Sequence, residues 1–410
     1  MAFAAAAGAM AAQPQVVQPT WVATWASSPH AADPDPHEPL LNIDRQTVRQ
    51  RVRLSAGGGK LRVRLSNEYG STPLTIGAAT VALSKDAATV QADSMRSLTF
   101  DGRASVTVAP GAPVLSDAVD LAVAAGAEIS ISLYFPDRVT TPTLHGLALK
   151  RAVISARGDF TRAVRVEPGA TSESSMLLTA VLVPARQGQK LVVAFGDSIT
   201  DGDGSTVDAD RNWPSALARR LNQRGGGDIA IVNAGIAGNR LLSDGFGIKA
   251  LGVSALARFE RDVLTVPGAT HVVLLEGVND LGFPGATLRG KALADSSETR
   301  TVADLTAAYR QLIARAHARG LKVIGATLTP FEGVDLPGYY SAAKEADRQR
   351  VNTWIRTSGA FDGVIDFDAV LRDPAHPGRL QARYGSPDHL HPSDAGYQAM
   401  ADAIDLSLFE

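Results

Sequence analysis

A hydroxyl, an imidazole and a carboxylate brought together can carry acyl transfer, and the second half of this chain offers all three. The run 191–195 is apolar and breaks at Gly196, followed by Asp197, Ser198, Ile199 and Thr200. That pattern reads as a strand buried on both faces, a tight turn and a helix start. A serine there stands at the carboxyl end of a strand, where open α/β sheets bind ligands. The N–H groups of the following helix suit a developing oxyanion. His391 can accept the Ser198 Oγ proton as general base. Asp388, three residues earlier on a tight loop, can reach that imidazole and fix its tautomer. A tetrahedral intermediate also needs donors, for which the Ser198 N–H, the Gly238 N–H and the Asn279 amide are well placed. Glycine at 238 keeps a side chain from obstructing a close backbone approach to the ligand.

Each feature also has a plain structural explanation. Gly235 and Gly238 fit ordinary turns, Asn279 a helix cap, and His389 and His391 a surface loop. Their joint position at strand ends within one region is what favours a site. Asp197, Gly277 and Asp280 stand beside the candidate groups as supports, Asp280 for the Asn279 loop. The loop 330–335 and the pair Tyr339-Tyr340 follow the fourth expected strand. Phe331, Tyr339 and Tyr340 are therefore expected to wall the cleft, with loop packing as the alternative. His389 is expected to be structural or to face the substrate.

The elements that must position these groups change character along the chain. Over 21–184 short strands alternate with turn residues, and a β-sandwich or jelly roll is expected. Leu61, Val63 and Leu65 point inward with Arg62 and Arg64 outward; Val48, Val52 and Leu54 are read the same way. Gly57-Gly58-Gly59 is read as the hairpin joining those two runs. The polar, breaker-rich segment 184–189 marks the boundary. Beyond it, strands are expected at 191–195, 229–232, 271–275, 321–328 and 364–365. Helices open at Trp213, at Thr301 with Asp304 as capping partner, around Ala346, and at Ser393; Gly225-Gly226-Gly227 ends the first. Alternating strands and helices over 189–410 imply a parallel sheet covered on both sides.

Composition narrows the field. The 410 residues suit two domains, and 45% hydrophobic with 20% charged content is ordinary for a globular chain. A net charge of −2 offers no electrostatic case for nucleic acid or anionic membrane. There are no cysteines, which excludes disulfides, thiolate nucleophiles and cysteine zinc sites. The Ala-rich opening, residues 1–20, is too short to span a bilayer. It reads as a signal-peptide remnant ending near Ala9-Met10-Ala11, or as a disordered tail, and the former predicts a periplasmic or secreted protein.

In order, Gly196-Asp197-Ser198-Ile199, Gly238 within NAGIAGN, Gly277-Val278-Asn279-Asp280 and Asp388-His389-Leu390-His391 resemble the four blocks of the SGNH hydrolases, also called GDSL esterases/lipases. The resemblance covers 189–410. It implies a flavodoxin-like α/β/α fold and metal-free ester hydrolysis with no cofactor. Ser198, His391 and Asp388 would be the triad, and Ser198, Gly238 and Asn279 the oxyanion donors. Ile199 stands where the GDSL name expects leucine, a conservative change. The Trp21, Trp25, Ser28-Pro29 opening resembles, more loosely, a bacterial subset of two-domain members. The expected substrate is a small-molecule or carbohydrate ester, with short acyl, aryl or acetylated-sugar esters favoured; acyl transfer to an alcohol would use the same serine ester. Two rival readings remain: a metal-dependent hydrolase using Asp388, His389 and His391, and a carbohydrate-binding or adhesion protein with a vestigial hydrolase half. Oligomeric state is not legible.

Overall fold

The structure, a computed structural model, describes residues 20–35, 37–224, 227–295 and 297–410. The expected signal-peptide remnant, apart from Thr20, and Gly225-Gly226 fall outside the described residues. In the first region alternating apolar residues build two larger antiparallel sheets, beside a three-stranded and a two-stranded one. One runs in the order Trp21–Ala26, Leu178–Pro184, Arg62–Ser66, Pro113–Leu115. The other runs Ala170–Ser172, Ala152–Arg157, Asp44–Arg53, Glu128–Arg138, Ala78–Leu83, Arg96–Ser97. Val63 and Leu65 of the first and Val48, Val52, Ile129, Ile131 and Leu133 of the second join one buried apolar cluster.

Two sequence expectations fail here. Gly57-Gly58-Gly59 does not close a hairpin, because Asp44–Arg53 and Arg62–Ser66 belong to different sheets. Gly58 instead pairs with Val123 while the chain crosses between them. A Cβ at Gly57 would lie 2.5 Å from the Val123 carbonyl, so it is this crossing that needs glycine. The cationic row of Asp44–Arg53 is also not all outward. Arg49 is fully buried, since the segment 160–166 folds over that face and brings carbonyls that need donors. Its guanidinium donates to Ala88 O, Ala163 O, Val164 O and Ser132 Oγ.

Beyond residue 189 the period changes and a five-stranded sheet forms, every neighbouring pair parallel. Its order is Ile229–Gly235, Lys190–Gly196, His271–Leu275, Lys322–Ala326, Gly363–Ile365. In chain order this is 2-1-3-4-5, the flavodoxin-like winding whose switch point lies between the first and third strands. Helix Trp213–Gln223 packs beside Asp394–Ala403, and Val302–His317 beside Ala342–Thr357. Thr301 and Asp304 form the expected capping box. The second strand runs three residues past the expected Val232, so Asn233, Ala234 and Gly235 close the ladder opposite Ala194, Phe195 and Gly196. The loops after strands one, two and three therefore leave the sheet at one level.

The antiparallel region covers the outer edge of this sheet, an edge that would otherwise leave unpaired backbone groups. Ile231 N–H donates to Ser55 Oγ at 3.2 Å, and Ala23 N–H to Pro267 O at 2.9 Å. Charged contacts follow the same seam: Arg51 to Asp208 at 3.0 Å and Lys150 to Asp210 at 2.6 Å. Among the described residues no helix is long and apolar enough to cross a membrane. Arg49→Leu would strip the buried carbonyls around it of their donor, at about 1–3 kcal/mol for each acceptor left unpaired. A lowered melting temperature, followed by circular dichroism, is the expected result.

Candidate active site

Ser198 opens a single helical turn, Ser198–Asp201, at the end of the central strand. Asp197 caps that turn by accepting the Ile199 N–H at 2.9 Å. With one turn only, a long helix dipole cannot contribute as the sequence suggested; the Ser198 N–H itself is what remains. Among the described residues neither that N–H nor the Gly238 N–H has an intramolecular acceptor.

Ser198 Oγ lies 2.8 Å from His391 Nε2, and His391 Nδ1 lies 2.5 Å from Asp388 Oδ2. The tautomer follows from the acceptors. A carboxylate only accepts, so Nδ1 carries the hydrogen and the Nε2 lone pair receives the serine proton. Asp388 is itself held, its Oδ1 accepting from Ser386 Oγ and from the Leu390 and His391 N–H groups. His389 adopts a left-handed φ of 59°, which turns the chain between the two functional groups. Its side chain is exposed at the rim and makes no hydrogen bond among the described residues.

The second and third loops interlock. Asn279 Nδ2 donates to Asn239 O at 2.9 Å, leaving its second hydrogen unused. Tyr339 OH donates to Asn279 Oδ1 at 2.9 Å and fixes which way the amide faces. This corrects the expected aromatic wall: Phe331 and Tyr339 are wholly buried and offer no surface to a substrate. Tyr339 sits behind the amide, edge-on to Phe331 at 5.5 Å, and only Tyr340 is partly exposed. Asp280 is corrected too. Its carboxylate accepts the Leu241 and Leu242 N–H groups at 2.6 and 2.9 Å, so it ties down the Gly238 loop rather than its own. Gly238 has φ 71°, and a Cβ there would lie 2.4 Å from Leu251 Cδ2. The left-handed backbone, and not only ligand access, favours glycine here. Gly277, at φ 117°, starts the Asn279 turn against Tyr309.

Burial sets the local electrostatics. It raises the Asp197 carboxyl to about 7, helped by the charge of Asp280, and raises Asp280 to about 6. Burial pulls His391 down, but the Asp388 bond and the charges of Asp203, Asp388 and Asp197 outweigh it, so its pKa is above the ordinary histidine value. Asp388 stays well below the usual carboxylate range because the His391 and Ser386 bonds overcome its partial burial.

Sequence reasoning missed three participants. Asp203 places Oδ2 3.7 Å from His391 Nε2, with its N–H on Ser198 O and its carbonyl held by Tyr397 OH. Its position five residues after the serine, between Gly202 and Gly204, was the only available sign. Arg258 is fully buried and donates to Gly196 O, Ala234 O and Asn239 Oδ1. Only its four-residue spacing from Asp262 hinted at a pair. His145 of the antiparallel region meets Asp201, which no local pattern reveals. Among the described residues no group of three or more His, Asp or Glu side chains is arranged to hold a metal ion.

A doubly wound parallel sheet with a serine, a histidine and an aspartate hydrogen-bonded in series at its carboxyl edge defines a class of hydrolase fold. Residues 194–399 match the GDSL-like lipase/acylhydrolase family, half of the chain, and the protein belongs to that family and so to the ester hydrolases. Solved structures similar to it include a lipase/acylhydrolase from Enterococcus faecalis, at 21% identity over 52% of this chain and 93% of that one, TM-score 0.39. A GDSL-like lipase from Bacteroides thetaiotaomicron shares 16% identity over 55% and 90%, TM-score 0.39. A psychrotrophic esterase from a Pseudoalteromonas species shares 19% over 52% and 93%, TM-score 0.37. No curated protein matches the chain.

Asp203 favours the protonated His391 ring by its charge, so removing that charge must lower the pKa. NMR titration of the His391 imidazole in Asp203→Asn is expected to show protonation only at lower pH than in the parent.

Proposed function

We propose that the protein is a serine esterase that cleaves carboxylic esters through an acyl-Ser198 intermediate. The carrying observation is the unbroken hydrogen-bond series Ser198 Oγ, His391, Asp388, with both links at bonding distance. In this reading His391 accepts the hydroxyl proton as Oγ attacks the ester carbonyl, then returns it to the leaving alcohol. Asp388 stabilises the imidazolium without taking its proton. The unpaired Ser198 and Gly238 N–H groups and the spare Asn279 hydrogen receive the oxyanion. Water repeats the sequence to release the acid.

For the substrate, the rim supports a short acyl group on a polar alcohol, acetylated carbohydrate included. Around the triad, His389 is exposed and the Asp203 and Asp388 side chains are partly so, whereas Phe331 and Tyr339, two of the rings expected from sequence, are buried. A long fatty tail finds no support in such a rim. The chain is further proposed to divide into an accessory region, 21–184, and a catalytic unit, 189–410. Separate β-strand and parallel-sheet topologies support that division, although the seam between them is broad.

Kinetics on p-nitrophenyl esters of increasing chain length and on acetylated glycans test the reading. Turnover is expected to fall as the acyl chain lengthens. Ser198→Ala should nearly abolish turnover in a folded protein. Asn279→Ala should lower kcat by roughly 10²–10³ with little change in KM. Near-parental rates for Ser198→Ala would refute the mechanism.

A further inference from the structure

We infer that His145, from the strand Thr143–His145 of the antiparallel region, is a positioning residue of the hydrolase site, acting through Asp201 on the loop that carries Gly238. The inference rests on the proposed roles of Ser198, Gly238 and Asn279.

The two side chains are buried and meet through His145 Nε2 and Asp201 Oδ1 at 3.0 Å. His145 Nδ1 lies 2.9 Å from Ser28 O, which can only accept, so Nδ1 carries a hydrogen. In a neutral ring the other nitrogen is then a lone pair, and an ionised carboxylate offers only lone pairs. A single proton must therefore close the Nε2–Oδ1 contact. Imidazolium with carboxylate and imidazole with carboxylic acid are both net neutral, which suits two side chains held largely out of solvent. The surroundings favour keeping that proton. Burial, with the nearby charge of Asp203, pushes Asp201 up, and Asp201 pushes His145 up despite its burial. The other ionisable ring facing His145 is His30, 6.1 Å away, which burial lowers to about 4. His30 Nε2 accepts the Gly146 N–H at 2.7 Å and so holds the chain next to His145.

The other oxygen of Asp201 reaches the site. Oδ2 accepts the Ala237 N–H at 3.1 Å, one residue before Gly238. The backbone of Asp201 belongs to the Ser198 turn, with its N–H on Asp197 O and its carbonyl held by Asn233 and Asn212. A Cβ at Gly235 would lie 2.3 Å from Asp201 N, so turn and loop approach as closely as backbone permits. Asp201 thus fixes the spacing between the Ser198 N–H and the Gly238 N–H. His145 fixes the rotamer in which Asp201 does so. Without it, a buried carboxyl loses its proton-sharing partner and turns from Ala237 toward water. The antiparallel region then supplies a residue on which the site's geometry depends.

Full-length His145→Leu, His145→Gln, Asp201→Ala and Asp201→Asn, assayed on p-nitrophenyl acetate beside Ser198→Ala, test this, with thermal melts to establish folding. His145→Leu is expected to lower kcat by about 10–100-fold, the scale of a small misplacement of catalytic donors, with KM nearly unchanged. His145→Gln, which keeps an N–H toward Asp201, should recover part of that loss. Asp201→Asn can donate to Nε2 and accept from Ala237, so its kcat should exceed that of Asp201→Ala several-fold. Parental kcat in folded His145→Leu, a loss confined to KM, or equal losses in Asp201→Asn and Asp201→Ala would overturn the inference. If His145→Leu does not fold, the two Asp201 variants decide. Activity retained by Ser198→Ala would instead overturn the underlying reading of the site.

Discussion

The site depends on one buried cation. The Arg258 side chain has no exposed surface, and its guanidinium lies 4.1 Å over the Phe195 ring. One edge donates to Gly196 O and Ala234 O, at the carboxyl ends of the first two strands. Its Nε holds Asn239 Oδ1, and through Asn239 O the Asn279 amide. All three loops are thus tied to one planar group whose donors point in fixed directions. Such a charge away from water needs a counter-charge. Asp262, at 3.0 Å, supplies it: burial pushes that carboxyl up, but Arg261 and Arg258 hold it below its ordinary value. Glu276 is also near, at 3.6 Å, yet neither of its oxygens has a hydrogen-bond partner among the described residues. Burial and the charge of Asp197 push Glu276 well above the usual carboxylate range, whereas Asp262 is bonded directly to both arginines and is the nearer counter-charge. Losing one partner of a buried pair of this kind costs about 3–5 kcal/mol.

The antiparallel region shares this arrangement. Ser28 Oγ accepts from Arg258 while Ser28 O accepts from His145. Arg261, next to the Arg258 pair, donates to Pro29 O and to Tyr69 OH. The opening Trp25-Ala-Ser-Ser-Pro29 segment therefore touches both supports of the hydrolase loops. The strand it continues, Trp21–Ala26, packs against the sheet edge formed by Ile229–Gly235, the strand that leads into the Gly238 loop. Edge protection and site geometry thus come from adjoining parts of one segment.

What could be read from sequence follows the range of the interactions. Strands such as His271–Leu275 were legible because burial on both faces leaves an uninterrupted apolar run, and the Val302–His317 helix because its cap is local. Ser198, His391 and Asp388 were legible as residue types whose combination has few other uses. Failures came where distant segments decide. Arg49 looked like a solvated row member until a segment more than 100 residues away covered it. Tyr339 looked like a cleft wall because sequence cannot tell a ring facing a cleft from one facing the amide behind it. Gly57-Gly58-Gly59 has turn composition, but pairing partners chosen elsewhere turned it into a crossing between sheets. Arg258 and Asp203 left only faint local signs, and the His145–Asp201 pair is a tertiary contact with none.

The central claim is that Ser198 is a nucleophile activated by His391, and covalent capture tests it most directly. Intact-mass and peptide mass spectrometry after exposure to a serine-reactive phosphonate should find one adduct per chain, on the peptide containing Ser198. His391→Ala, folded by thermal melt, should label far more slowly. An adduct on another residue, or undiminished labelling of His391→Ala, would contradict the account.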